Sequence, residues 1–284
     1  MKYVTEKDEN VSKTNIVTGS LQQKSSDSAV TQYNLAKILF MFTWPALWFM
    51  LLVYIIAPLF VPPGQRTPTP IFLGVGILGN GAELIVALIL LHREGYKLSI
   101  SALRERVRLH WPKGWKKWGL ALAVFVIAYA LSMLAHPLCK SLATVPGFIP
   151  PTSWPPASDP RVEITSAADA FPDINLSGNY LFFVFFLIYG FIFNIVGEEL
   201  YYRGLLLPKM RGVFGKWDWV ANGVLFTLKH VYMRWLFPSI LAGSLGIAFF
   251  AGPLGSLPLA MLFHWVVNFF FALLSMIPAI FGVG

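Results

Sequence analysis

Long apolar stretches alternate with short polar ones along this chain. Residues 36–60, 71–91, 118–138, 179–200 and 254–277 are each mostly apolar over about the 20 residues that cross a bilayer. Residues 219–237 and 239–252 form a weaker pair, the second of them short. The pattern predicts an all-α fold, a polytopic transmembrane helix bundle of about seven spans, with six to eight allowed by the weak final third. Residues 1–33 have no apolar run and carry Lys2, Lys7, Lys13 and Lys24 among Ser, Thr, Asp and Gln. They read as a disordered cytoplasmic tail rather than a cleavable signal peptide. Residues 34–284 are then the transmembrane domain.

Composition strengthens this reading. Hydrophobic residues make up 56% of the chain and charged residues 13%, against about 25% charged in soluble domains. Too few polar side chains are present to cover a soluble fold of 284 residues, so lipid must cover part of it.

The net charge of +8 would suit nucleic acid if it were spread over a face, but it is concentrated between two spans. Residues 92–117 hold Arg93, Lys97, Arg104, Arg106, Arg108, Lys113, Lys116 and Lys117 against Glu94 and Glu105. Such a run marks a cytoplasmic loop, and Trp111, Trp115 and Trp118 fit an interfacial belt beside anionic head groups. The expected partner is therefore the lipid bilayer and not nucleic acid. Counting crossings from this loop puts the N-terminus inside, residues 61–70 and 139–178 outside, and residues 204–218 inside with Lys209, Arg211 and Lys216. The membrane is the plasma membrane in a prokaryote or the ER in a eukaryote. The prolines of 146–160 argue against regular structure in the outer loop, whose one suggested role is a lid or substrate gate. The single cysteine, Cys139, permits no internal disulfide. Gly74, Gly76 and Gly79 match G-x-G-x-x-G. They lie inside an apolar span, where small residues serve close helix packing rather than a dinucleotide.

Charged side chains inside spans carry the chemistry. Ionisable groups at membrane depth are costly, by roughly 2.5–3.5 kcal/mol on insertion scales, and default to functional or paired roles. The first group is Glu198-Glu199-Leu200-Tyr201-Tyr202-Arg203. Adjacent carboxylates project about 100° apart on an α-helix and should face different environments. Arg203 stands four residues after Glu199 and can pair with it. Glu198 is left without such a partner, which suits a general base or acid. Phe226 and His230 share a helix face, as do His264 and Asn268. Taken singly, each has a structural reading as a helix–helix hydrogen bond or an ion pair. Together they supply a carboxylate, two imidazoles and a carboxamide, a set able to draw a proton from water and stabilise an oxyanion.

E-E-x-x-x-R, F-x-x-x-H and H-x-x-x-N, in that order on successive apolar segments, resemble the CPBP family of intramembrane proteases. That family includes the type II CAAX prenyl endopeptidases and the bacterial Abi proteins. The resemblance covers about residues 179–275, the expected catalytic core. It implies that Glu198 is the catalytic glutamate, that His230 helps it activate water, and that His264 and Asn268 hold the water or stabilise the oxyanion. Glu199 and Arg203 would support them. The implied substrate is a membrane-associated or lipidated protein or peptide, cut at the cytoplasmic half of the membrane. Glu198, His230 and His264 would be the ligands if zinc were bound. Asparagine is an uncommon zinc ligand and H-E-x-x-H is missing, so the residues lean toward water held directly by protein.

Two further charges need partners. Lys229 directly precedes His230 and must either snorkel or pair with a carboxylate. Glu83, near Asn80 in the second span, is a candidate partner for Lys229 or Arg203. Two other functions compete with proteolysis: a non-catalytic bacteriocin-immunity or scaffold protein, and a proton-coupled transporter using Glu198, His230 and His264 as a relay.

Overall fold

The computed structural model describes residues 30–282. The expected tail, residues 1–33, lies outside them apart from its last four positions. Every regular element among the described residues is helical, and six stretches are long and apolar enough to cross a membrane.

Local sequence sets where these helices start and stop. Helix α1 (Leu35–Phe60) is capped by Asn34, whose side chain accepts from the Lys37 amide at 2.9 Å. Helix α2 (Thr69–Arg93) has proline in its first turn and ends before Gly95, at φ +91°. Helix α3 runs over Trp115–Leu142, and α4 over Tyr180–Lys209, where Asn179 caps it by accepting from the Phe182 amide at 3.1 Å.

The fifth apolar stretch, Arg211–Ala251, is a hairpin. Its first leg is α5 (Asp218–Lys229), followed by a tight 3₁₀ segment over His230–Leu236, and then α6 (Phe237–Ala251). Pro238 sits in the first turn of α6, where its missing N–H does no harm. One turn earlier it would break a continuous helix, and the chain turns there with Met233 at a non-helical φ of −129°. The legs pack antiparallel: Trp219 meets Phe249, and the Thr227 hydroxyl lies 2.8 Å from that of Ser244. Helix α5 rises about 18 Å before the chain kinks within the 3₁₀ segment. Helix α7 (Leu257–Phe281), capped by Ser256, completes the bundle. The six stretches among the described residues fall within the expected six to eight, and the hairpin is the one that the hydropathy pattern divides into two.

Contacts sort the connections onto two ends. At one end Arg108 donates to Ala251 O, Leu257 N to Arg108 O, Ser256 to His110 O and Tyr33 N to Lys209 O. This end carries the basic segment. At the other, Trp235 Nε1 donates to Ser158 O, Arg234 to Gly147 O and Gly178 N to Ile280 O. This end carries the Pro-rich loop. That loop is not wholly irregular, since a single 3₁₀ turn forms at Pro156–Ser158, with proline at its start where it is tolerated.

Close helix packing accounts for the glycine pattern. A Cβ on Gly76 would lie 2.2 Å from the Tyr189 hydroxyl, and one on Gly79 would lie 2.2 Å from the Phe49 ring. Cys139 is buried as a small apolar side chain.

Candidate active site

The three motifs converge from α4, α5 and α7. Between Tyr189 and Leu206, α4 is wound mostly in wide π-type turns, broken only at Glu198. More residues per turn bring consecutive side chains closer than 100°. Glu198 lines the cavity and pairs with Lys229 while Glu199 pairs with Arg203, so the two keep different environments but share one neighbour. They flank one imidazole: Glu199 Oε1 lies 2.9 Å from His264 Nδ1, and Glu198 Oε2 lies 3.7 Å from His264 Nε2.

The expected Glu199–Arg203 pair is present, with Nη1 and Oε1 3.0 Å apart and both side chains sealed from solvent. The guanidinium carbon also sits 3.9 Å from the centre of the Phe226 ring, a cation–π contact. Phe226 is the common wall of the site, packing edge-on against His230 and Tyr202. That is the packing role of the first residue in F-x-x-x-H.

Hydrogen bonds select one tautomer of each histidine in its neutral form. His264 Nδ1 faces the Glu199 carboxylate, which can only accept, so the proton belongs on Nδ1. Its Nε2 lone pair accepts from Asn268 Nδ2 at 2.9 Å. His230 closes α5, and its Nδ1 lies 2.8 Å from Phe226 O, again an obligate acceptor. His230 Nε2 is thereby left with its lone pair 4.0 Å from Glu198 Oε1. The gaps of 3.7 and 4.0 Å around Glu198 exceed direct hydrogen bonds and suit an intervening water.

Glu198 is not the unpartnered carboxylate that the sequence suggests. Lys229 Nζ donates to its Oε1 at 2.7 Å and reaches Glu83 Oε1 at 3.2 Å. Glu83 therefore partners Lys229, one of its two expected cations. Lys229 does not snorkel, because it stands on the inner face of the hairpin, enclosed by aromatic rings. Two participants escaped the sequence reading. Tyr202 donates to Glu83 Oε1 at 2.8 Å, and Asn194 accepts from Asn268 Nδ2 at 3.2 Å. Their one available signal was their place, Tyr202 inside the first motif and Asn194 one turn before it.

Glu198, His230, His264 and Asn268 line a single cavity of about 510 Å³. Glu198 sits in the half of α4 nearer the basic end. From it the cavity extends to Trp154 and Ala157 of the Pro-rich loop, on the opposite end. The rest of the wall is mainly apolar, with Phe49, Phe72, Val75 and Ile247.

Zinc on Glu198, His230 and His264 would have to use Glu198 Oε2, because Lys229 takes Oε1, and would have to displace Asn268 from His264 Nε2. Among the described residues no three His, Cys, Asp or Glu side chains are grouped so as to hold a metal ion.

No curated protein and no solved structure matches this chain. Residues 180–270, which hold all three motifs, match the family described as type II CAAX prenyl endopeptidase Rce1-like.

Proposed function

We propose that this integral membrane protein is a glutamate-dependent endopeptidase that cuts a membrane-associated or lipidated protein or peptide. The observation that carries the proposal is the convergence of Glu198, His230 Nε2, His264 Nε2 and Asn268 on one mainly apolar cavity at membrane depth. An apolar cavity suits an acyl or prenyl chain, or an apolar peptide segment.

The attacking water donates one hydrogen bond to the Glu198 carboxylate and the other to His230 Nε2, while His264 Nε2 accepts from Asn268. Glu198 takes its proton as the water oxygen attacks the scissile carbonyl carbon. The carbonyl π electrons move onto oxygen, and Asn268 Nδ2 turns from His264 to donate to that oxyanion. His264 stays aligned because Glu199 holds its Nδ1 proton. Collapse of the intermediate breaks the C–N bond, and the proton on Glu198 passes to the departing amine. Each group ends in its starting protonation state. The basic end, with residues 92–117, faces the cytoplasm by the charge rule.

The test compares membranes expressing wild type and Glu198→Gln at matched levels by mass spectrometry of new peptide termini. Termini found with wild type alone support the proposal and name the bond that is cut. Identical profiles would remove it and favour the immunity or scaffold role.

A further inference from the structure

Lys229 is sealed where three helices meet. It comes from α5, and its ammonium touches Glu198 of α4 at 2.7 Å and Glu83 of α2 at 3.2 Å. The side chains of Lys229 and Glu83 are both fully buried. The rings of Phe49, Tyr202 and Phe226 lie 4.8, 5.2 and 5.3 Å from the ammonium. Packing alone does not call for this arrangement. Each buried ion loses several kcal/mol of hydration, and a well-packed apolar side chain would fill the same space at lower cost. Nor does ion pairing alone account for it, since one lysine needs one carboxylate and this one has two.

We infer that Lys229, backed by Glu83, is the positioning device of Glu198. The inference deepens the hydrolytic reading above and rests on it. The ammonium binds Glu198 Oε1, which fixes the rotation of the carboxylate and leaves Oε2 as the oxygen facing His264. Glu83 answers the difficulty this creates. A carboxylate paired alone with an ammonium is a weak base, because protonating it strands the cation. Here the ammonium is shared. Two carboxylates against one lysine leave one negative charge in the cluster, and a proton taken from water cancels it. Once Glu198 is protonated, Lys229 stays paired with Glu83, and no buried cation is left alone. Tyr202 holds Glu83 for this role through its 2.8 Å hydrogen bond.

The test uses the full-length protein in lipid nanodiscs and a fluorogenic peptide ending in a farnesylated cysteine and three further residues. The variants are Glu198→Gln, Lys229→Met, Glu83→Gln and the double Glu83→Gln/Lys229→Met. We expect kcat to fall about 100-fold in Lys229→Met and about 10- to 100-fold in Glu83→Gln, with KM within about threefold of wild type. The double restores a single negative charge, so its kcat should exceed that of Lys229→Met by about tenfold or more. A merely structural role predicts that the melting temperature recovers in the double while kcat does not. Should Lys229→Met fail to fold, the charge-balanced double carries the comparison with Glu83→Gln. Wild-type kcat in Lys229→Met, or a double no faster than either single, overturns the inference alone when Glu198→Gln is inactive. A wild type that cuts no better than Glu198→Gln removes the hydrolytic reading, and this inference with it.

Discussion

Replacing Glu199 by glutamine keeps the side chain's shape and removes its charge. The consequence follows from the enclosure of the Glu199–Arg203 pair, whose side chains have no exposed surface. Arg203 would keep its charge with no anion against it, and two of its nitrogens, Nε and Nη2, already lack a hydrogen-bond partner among the described residues. Removing one member of a buried pair costs about 3–5 kcal/mol. The contact with the Phe226 face is present in both proteins and offsets none of this. The loss of about 3–5 kcal/mol corresponds to about 6–20 °C in Tm for a domain of this size. The double variant Glu199→Gln/Arg203→Met removes both charges and should melt within about 4 °C of wild type. Both variants should also lose about 10- to 100-fold in kcat, because His264 Nδ1 exchanges a carboxylate partner for a neutral amide. Thermal unfolding in nanodiscs, followed by tryptophan fluorescence, reads the stability, and peptide cleavage reads the rate. A single variant that melts with wild type, or a double that melts with the single, would refute the claim that Glu199 neutralises Arg203.

Other outcomes follow from single contacts. Gly79→Ala should destabilise by about 1–3 kcal/mol, because its Cβ meets a Phe49 ring already stacked on Tyr232 at 4.7 Å, and adding Phe49→Leu should recover most of the Tm. Trp154→Ala removes a buried indole that walls the cavity and packs on Trp235. It should cost about 3–5 kcal/mol and raise KM more than it lowers kcat, and steady-state kinetics would contradict this wall if kcat alone fell. Burial pushes the Glu94 carboxyl up, but hydrogen bonds from Arg106 and Lys209 outweigh it and hold it below the usual carboxylate range. A depressed folded value stabilises the protein above the ordinary carboxyl value and loses that effect as pH falls. Glu94→Gln should therefore melt below wild type at pH 7, and the gap should close as pH drops from about 4.3 toward the depressed value.

The spans were legible because run length and polarity are local properties. The hairpin was the weakest prediction for a physical reason. Asn222, Thr227 and Lys229 on α5, and Ser244 on α6, are buried polar groups that lower the apparent hydropathy of both legs. Each finds a partner inside the bundle: Thr227 in Ser244, Asn222 through its Nδ2 in the Tyr202 carbonyl, and Lys229 in two carboxylates. A window average cannot distinguish a polar group with a hidden partner from one that needs water.

The site divides along the same line. Pairings four residues apart, such as Glu199 with Arg203 and His264 with Asn268, follow from helix geometry, and the structure contains both. Pairings between helices depend on how each helix is rotated, and these went unread: His264 with Glu199, and Asn268 with Asn194. The partner of Glu198 stood nearer to reach. Apart from Lys209 and Asp218 at their ends, helices α2, α4 and α5 bury three carboxylates, Glu83, Glu198 and Glu199, with two cations, Arg203 and Lys229. A cation in low dielectric needs an anion against it. Once Arg203 takes Glu199 at four-residue spacing, Lys229 must go to Glu83, to Glu198 or to both. Charge counting offers Glu83 to Lys229 and leaves Glu198 open, whereas the rotation of α4 and α5 gives Lys229 both carboxylates.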